Sequence, residues 1–299
     1  MSDDSLVEKV GDWLNRQGYP LEFSTAAAFH RAGFRTHQGL YVDDSESTRE
    51  IDVVATQDLK SGRSLIRAEF VIECKWSVDK PWVVFASKHS RMAKSACVAQ
   101  TLGSKAGRTV LWAKAGDEAL HSIGIFDTPV LPGFGGRQAF SDNRDLVFDA
   151  LKSVVSLSHS RAVEYDRQAS SPSDHLDFVV MVFPVVVLKG RLFVAKYDEE
   201  TGRMAVDEAL RARIHWRGSD KWKLITTIDV VTEGQLEQYA GQVRKDVDAL
   251  LPVMSESVMS LKQCVVSRDL SGWPVTSGPR GVAGRPSLLK EISQEISRK

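Results

Sequence analysis

Cysteine is scarce in this chain of 299 residues, and the three cysteines lie far apart. Cys74, Cys97 and Cys264 form no C-x-x-C pair, which argues against both a zinc ribbon and a disulfide framework. Isolated cysteines of this kind are typical of a reducing compartment. We therefore predict a cytoplasmic protein.

Long hydrophobic runs are also lacking. The longest apolar stretch, residues 178–188, contains Pro184 and is far too short to span a bilayer. No apolar segment that could serve as a signal peptide follows the acidic start of the chain, Met1 to Asp4. The sequence therefore predicts a soluble protein with no membrane partner.

Neither sign of charge is in excess, because 39 basic side chains balance 39 acidic ones. A net charge of zero provides no overall positive field to attract a polyanion. If the protein binds nucleic acid, it must do so through a local patch.

Two β-rich runs, residues 50–55 and 66–76, are separated by a polar turn that contains Ser61 and Gly62. This pattern predicts an antiparallel hairpin, in which Asp52 lies opposite residues 71–73. Alternation along the second strand predicts a polar face and a core face. The polar face consists of Arg67, Glu69, Val71, Glu73 and Lys75, and the core face of Ala68, Phe70, Ile72, Cys74 and Trp76.

The hairpin is expected to bring Asp52 within one side-chain length of Glu73. Two carboxylates at that distance repel each other unless a cation lies between them. Their oxygens suit a hard divalent ion such as Mg²⁺. Lys75, on the same face as Glu73, could orient a water bound to that ion or stabilise charge on a phosphate.

Asp52, followed by Glu73-Cys74-Lys75 at the end of a hydrophobic strand, resembles the PD-(D/E)xK motif of restriction endonuclease-like phosphodiesterases. The resemblance extends upstream to a helix that carries Glu22, and it covers roughly the first 115 residues. Ile51 stands where the motif has its proline.

This resemblance implies an α/β fold with a restriction endonuclease-like αβββαβ core, in which helices flank a mixed sheet. It implies that Asp52 and Glu73 bind Mg²⁺ or Mn²⁺ and that the backbone carbonyl of Cys74 adds a ligand. Lys75 would position the attacking water, and Glu22 would assist the metal or hold that water.

In the family, the helix after the E-x-K strand flanks the active face and offers a lysine or glutamine to the phosphate. Lys94 and Gln100, on a helix expected over residues 90–102, are the candidates for this substrate-binding role. A solvated basic face on an amphipathic helix is the simpler explanation of both residues.

Simpler interpretations remain for the main motif as well. A glutamate and a lysine two residues apart on a strand often form a solvated ion pair. An acid such as Glu22 in the first turn of a helix complements the helix dipole. Asp52, Glu73 and Lys75 could also form a buried structural network.

Other patterns predict the remaining elements. Helices are expected over residues 5–17, 20–33 and 143–164, a strand over 34–42, and a strand over 109–113 that completes the core. The Gly-rich run 133–137 is expected to lie in an irregular loop, and it lacks the G-K-[ST] of a phosphate-binding loop. Asp174, His175 and Asp177 are interpreted as a cap at the start of a strand.

We expect three parts in the chain: a nuclease-like domain over residues 1–166, a C-terminal α+β domain or extension over 167–270 and a flexible tail over 271–299. The second part is expected to be built on antiparallel strands, with a hairpin turn at Lys189-Gly190 and a helix from residue 233 past Pro252. A short helix is expected over 287–299. The C-terminal half is a candidate surface for a homodimer.

The leading functional hypothesis is a divalent-metal-dependent nuclease that hydrolyses phosphodiester bonds in DNA, with RNA as an open alternative. Restriction, phage defence and repair are all compatible with this activity. The alternative hypothesis is a catalytically inert module on the same fold that binds nucleic acid or protein.

Overall fold

A computed structural model describes residues 3–43, 47–141, 145–218, 225–273 and 286–298. The helices are α1 (Asp3–Asn15), α2 (Tyr19–Arg31), α3 (Lys94–Gln100), α4 (Lys105–Ala113), α5 (Glu118–His121), α6 (Leu146–Asp166), α7 (Leu236–Ser267) and α8 (Ser287–Arg298). The strands are β1 (Arg35–Asp43), β2 (Thr48–Ser61), β3 (Ser64–Ala86), β4 (Leu102–Gly103), β5 (Gly133–Gln138), β6 (Phe178–Asp198), β7 (Arg203–Ala209), β8 (Arg211–Arg217) and β9 (Ile225–Thr232).

The protein is α/β, with one large mixed sheet flanked by helices. Strands β1, β2 and β3 form an antiparallel meander, and β3 pairs in parallel with β6 from Leu65/Phe178 to Phe85/Ala195, with a register shift between Ser77 and Trp82. Strands β5, β8 and β9 connect β3 to β6 by a second route, so the pairings close a ring of five strands.

Strand β6 explains the longest apolar stretch of the sequence. Residues 179–188 are all buried, because β6 pairs on both edges and is covered on both faces. Continuous hydrophobic runs are typical of such central parallel strands. The sheet therefore continues across residue 166, where we expected a domain boundary.

Two buried clusters lie on opposite faces of the sheet. One contains Phe29 of α2, Phe70 of β3 and Val243 of α7, and the other contains Val71 of β3 and Val154 of α6. Neighbouring residues Phe70 and Val71 point into different clusters, as strand alternation requires. Helix α6 thus covers the polar face of β3, and α2 and α7 cover its apolar face.

Several expected elements are wrong. Residues 109–113 form the end of α4 rather than a strand, and Ser104 caps this helix by accepting the N–H of Gly107. The Gly-rich run 133–137 forms β5, which pairs with β3, rather than an irregular loop. The helix expected over 90–102 is limited to 94–100.

The hairpin turn expected at Lys189-Gly190 is also absent, because β6 continues straight through both residues. Glycine is required there for a different reason, since a Cβ at Gly190 would lie 2.4 Å from the backbone oxygen of Ser77 on β3. The close approach of two strands, rather than a turn, accounts for this glycine.

Other expectations are confirmed. The hairpin turn lies at Gly62-Arg63, within one residue of the expected position. Helix α7 runs through Pro252 to Ser267. Helix α8 forms within the expected range and buries Leu288 and Ile292 in the core, whereas residues 274–285 of the expected tail lie outside the described residues.

Helix α1 forms close to the expected range, but its apolar side chains do not enter the core. Leu6, Val7 and Trp13 are all more than half exposed. Among the described helices, none is long and apolar enough to cross a membrane.

Candidate functional site

The candidate site lies where the ladder between β2 and β3 ends. The antiparallel pairing runs from Ser61/Ser64 to Val53/Ile72 and stops there. The next position would place Asp52 opposite Glu73, as the sequence predicts. Beyond this point β3 stays paired with β6 but no longer with β2, so Asp52 lies where β2 and β3 separate.

A local distortion turns the chain at Asp52. The ladder between β1 and β2 lacks one pair, Gly39 with Asp52, and Gly39 takes a left-handed conformation with φ 61°. Ile51 and Val54 are three residues apart, yet both point into the core beneath α6. Regular alternation is therefore interrupted at Asp52, and the glycine in β1 permits the bend in its neighbour.

The bend brings the Asp52 carboxylate onto the backbone of β3. Its Oδ2 accepts the N–H of Cys74 at 2.6 Å. Cys74 lies between Glu73 and Lys75, so this bond ties the first acid of the motif to the segment that carries the other two residues.

Glu73 is held from two sides. Its Oε1 pairs with the Nζ of Lys75, and its Oε2 accepts a hydrogen bond of 3.1 Å from the hydroxyl of Ser153 on α6. The Arg49 guanidinium donates to the same hydroxyl at 2.6 Å. Glu73 is only 8% exposed, so these bonds satisfy a carboxylate that has little contact with solvent.

The environment of Asp52 disfavours its ionised form. Burial, and then the negative charge of Glu73, raise the pKa of Asp52 to about 7. The N–H of Cys74 and the cation of Lys75 oppose this rise without cancelling it. Asp52 is thus a carboxyl group that needs additional positive charge to ionise fully near neutral pH.

Lys75 remains a cation in this setting. Burial by itself would lower the pKa of Lys75, but its pairing with Glu73 and the charge of Asp52 raise it above the usual value. The sequence left open whether Lys75 acts as a base or as an electrostatic clamp. The raised pKa favours the clamp.

Glu22 belongs to the same electrostatic group. It lies in the first turn of α2, and burial together with the negative charges of Glu50 and Glu73 raises its pKa. Lys75 acts on it in the opposite direction. The structure therefore brings Asp52, Glu73 and Lys75 together, and Glu22 interacts with them through its charge.

The thiol of Cys74 takes no part in this group as a nucleophile. Its sulfur faces the hydroxyl of Thr25 at 3.6 Å, and burial raises its pKa well above the usual value. The contribution of Cys74 in this structure is its N–H, and the proposed ligand role of its carbonyl stays a prediction.

The donor set fits a hard divalent cation. Within the described parts of the chain, no three His, Cys, Asp or Glu side chains lie close enough together to hold a metal by themselves. Mg²⁺, however, is usually bound by one or two carboxylates and keeps several waters or substrate oxygens. Asp52 and Glu73 supply such a pair, and a bound cation would offset the burial and the charge of Glu73 that raise the pKa of Asp52.

Lys94 and Gln100 are engaged elsewhere. The Nζ of Lys94 donates to the carbonyl of His121 at 2.9 Å and lies 3.2 Å from a carboxylate oxygen of Asp127. Gln100 is 2% exposed, and its Oε1 accepts the N–H of Ile225 at 2.6 Å. These contacts give both side chains a structural role and lend no support to phosphate binding.

Glu69, two residues before Val71 on the polar face, also has a structural role. It is fully buried and accepts hydrogen bonds from Arg161 at 2.8 Å and from Tyr165 at 2.6 Å. Both partners lie on α6, so this ion pair anchors the helix that supplies Ser153.

Asp174, His175 and Asp177 form a short 3-10 turn before β6, and no side-chain hydrogen bond caps this turn, so the expected cap is not observed. Their side chains bond instead to separate partners. Asp174 accepts the N–H of Ser171, His175 lies 3.3 Å from Asp166, and Asp177 accepts from Lys262.

No pattern in the sequence singles out Ser153 or Arg49. Ser153 lies 80 residues after Glu73 on a helix whose position depends on tertiary packing. Glu50, whose negative charge raises the pKa of Glu22, could have been identified as a neighbour of the site, because it lies two residues before Asp52 on the same strand.

Comparisons of the chain with family models, with curated proteins and with solved structures return no match.

Proposed function

We propose that this protein is a divalent-metal-dependent nuclease that hydrolyses phosphodiester bonds, with DNA as its substrate. The observation that carries the proposal is the convergence of Asp52, Glu73 and Lys75, fixed by the bond from Cys74 N–H to Asp52 and by the pairing of Lys75 with Glu73. A buried acid pair beside one lysine suits phosphoryl chemistry, where negative charge must be stabilised during reaction.

The order of elements supports a restriction endonuclease-like core. Helix α2 precedes the meander of β1, β2 and β3, and β6 runs parallel to β3 after a connection that contains helices. In this proposal β6, rather than the strand expected over 109–113, takes the place of the last strand of the αβββαβ core. Helix α6 would then be the part of the connection that supports the site.

Each residue has a defined task in the proposed reaction. Asp52 and Glu73 would hold Mg²⁺ or Mn²⁺, which when bound polarises a phosphoryl oxygen and lowers the pKa of water. Lys75 would stabilise the charge that develops on the phosphate as the water oxygen bonds to phosphorus and the P–O bond to the leaving group breaks. Glu22 would hold the attacking water, and Ser153 would orient Glu73.

A plasmid assay tests this proposal. We expect the wild-type protein to nick or linearise supercoiled DNA in Mg²⁺ or Mn²⁺ and to lose activity with chelator, whereas Asp52→Ala and Lys75→Ala should not cut. Lys94→Ala is the matched control, because Lys94 is a half-buried lysine bonded to His121 and Asp127. Metal-dependent cutting that survives both substitutions would show that the site is elsewhere. Failure to cut any DNA or RNA would favour an inert binding module.

A further inference from the structure

Strand β7 has an open edge. All seven of its residues pair with β6 in antiparallel fashion, from Leu192/Ala209 to Asp198/Arg203. On its other side, no strand in the described part of the chain pairs with it. Its outward N–H and C=O groups are therefore available to another strand, and proteins normally cover or disrupt such edges.

The side chains of β7 do not protect this edge with proline or a bulge. Met204 and Val206 are 53% and 54% exposed on one face, next to Tyr197 of β6, which is 63% exposed and lies opposite Met204. Three exposed apolar side chains in a row are unusual beside an unpaired strand edge.

The other face of β7 carries charge. Arg203 is exposed, and its side chain makes no hydrogen bond or ion pair among the described residues. Asp207 lies four residues further on the same face, 3.4 Å from Lys196 of the neighbouring strand, and its side chain remains 72% exposed. The strand thus offers one cation and one anion at equivalent positions around Ala205.

Symmetry limits how two such edges can pair. Two identical antiparallel strands are related by a two-fold axis perpendicular to the sheet, which leaves each side chain on its own face. Directly opposed residues share a face, so one residue must lie opposite its own copy in the partner strand, and the axis runs midway between those two copies. The axis can therefore lie at Ala205 or at Val206, but not between them.

An axis at Ala205 makes the edge complementary to itself. Arg203 then lies opposite the partner's Asp207, and Met204 lies opposite the partner's Val206. Opposite charges and apolar pairs at directly opposed positions are the favourable cross-strand combinations. An axis at Val206 would instead set Met204 against the partner's Glu208 and leave Arg203 opposite an alanine.

We propose that two copies of this chain associate through antiparallel pairing of their β7 strands, with the two-fold axis at Ala205. The pairing extends the sheet across both copies and covers the exposed strip formed by Tyr197, Met204 and Val206. It goes beyond the proposed nuclease activity and does not depend on it. Because one short edge buries little area, the dimer forms in a concentration-dependent way.

Sedimentation of the full chain tests this proposal through charge reversal. We expect a monomer–dimer equilibrium whose dissociation constant rises at least about tenfold for Arg203→Asp and for Asp207→Arg. The double variant that exchanges the two charges should return the constant to within about threefold of wild type. Glu118→Arg, an equal charge change at an exposed position of α5, should have no effect. A monomer at every concentration, or a double variant no better than the singles, overturns the proposal.

Crosslinking tests the position of the axis. In a background with Cys264→Ser, mild oxidation should join two copies of the Ala205→Cys variant, because opposed residues in an antiparallel pair bring their Cα atoms within disulfide range. The Val206→Cys variant, one residue away on the other face, should crosslink no more than the parent. Preferential crosslinking through position 206, or none at position 205, overturns the proposed register.

Discussion

The carboxylate of Asp52 accepts the backbone N–H of Cys74 at 2.6 Å, across the point where β2 and β3 separate. A side-chain oxygen thereby takes over after the last backbone pair of the ladder. The bond fixes one acid beside the segment that carries Glu73 and Lys75, so the arrangement of the site is already set by the fold.

Asp52→Asn should stabilise the protein while it removes activity. The folded pKa of about 7 lies above the ordinary 3.8, so Asp52 contributes stability below about pH 4 that is lost as the pH rises through 7. The neutral amide avoids this loss and can still accept the N–H of Cys74. We expect its melting temperature to exceed that of wild type by several degrees at pH 8, with a gap that narrows as the pH falls from 7 to 5. Calorimetry that shows an equal gap at both ends of this range would contradict the raised pKa.

Mn²⁺ should stabilise the wild-type protein in a pH-dependent way. The cation replaces the proton at Asp52, so binding should weaken as the pH falls through about 7, where that carboxyl takes up its proton. Thermal shifts measured at pH 8 and pH 6 check this expectation. Asp52→Asn and Glu73→Gln should both abolish the shift, and an unchanged shift in either variant would place the ion elsewhere.

Lys75→Met should reduce cleavage at least about 100-fold, because it removes the one cation that faces the reacting phosphate in this account. Initial rates of plasmid nicking at saturating Mg²⁺ measure the loss. Lys80→Met, at an exposed position of β3, is the control and should retain full activity. Near-normal rates for the Lys75 variant would remove it from the reaction.

Glu69 and Glu73 provide a matched comparison, since they are buried glutamates on the same face of the same strand. Glu69→Ala removes the buried carboxylate that pairs with Arg161, which then keeps Glu164 as an ion-pair partner, and should lower the free energy of unfolding by roughly 3 kcal/mol. Its activity per folded molecule should remain. Glu73→Ala should instead abolish activity in protein that is still folded, as circular dichroism and plasmid cleavage together would show. Loss of activity that merely follows loss of stability in both variants would indicate a structural network.

Local signals accounted for the parts of the site that were predicted. The turn at Gly62 and the alternation of β3 set Asp52 against Glu73 within one hairpin, and the helical pattern after Pro20 places Glu22 in the first turn of α2. These features depend on neighbours in the sequence, so they could be read from it.

The features of the fold and the site that the sequence does not predict depend on contacts between distant residues. Residues 109–113 have a strand-like composition, yet Ser104 caps a helix there and that helix is largely buried. Trp76 was assigned to the core face but is 36% exposed, beneath the ammonium group of Lys189 at 4.5 Å. The support of Glu73 by Ser153 follows from the packing of α6, which no local pattern specifies.

Anomalous diffraction from crystals soaked in Mn²⁺ would locate the proposed ion. We expect one peak between the carboxylates of Asp52 and Glu73, within about 2.0–2.6 Å of an oxygen from each. Crystals in which both carboxylates remain free of the ion while the same preparation cuts DNA with Mn²⁺ would contradict this expectation.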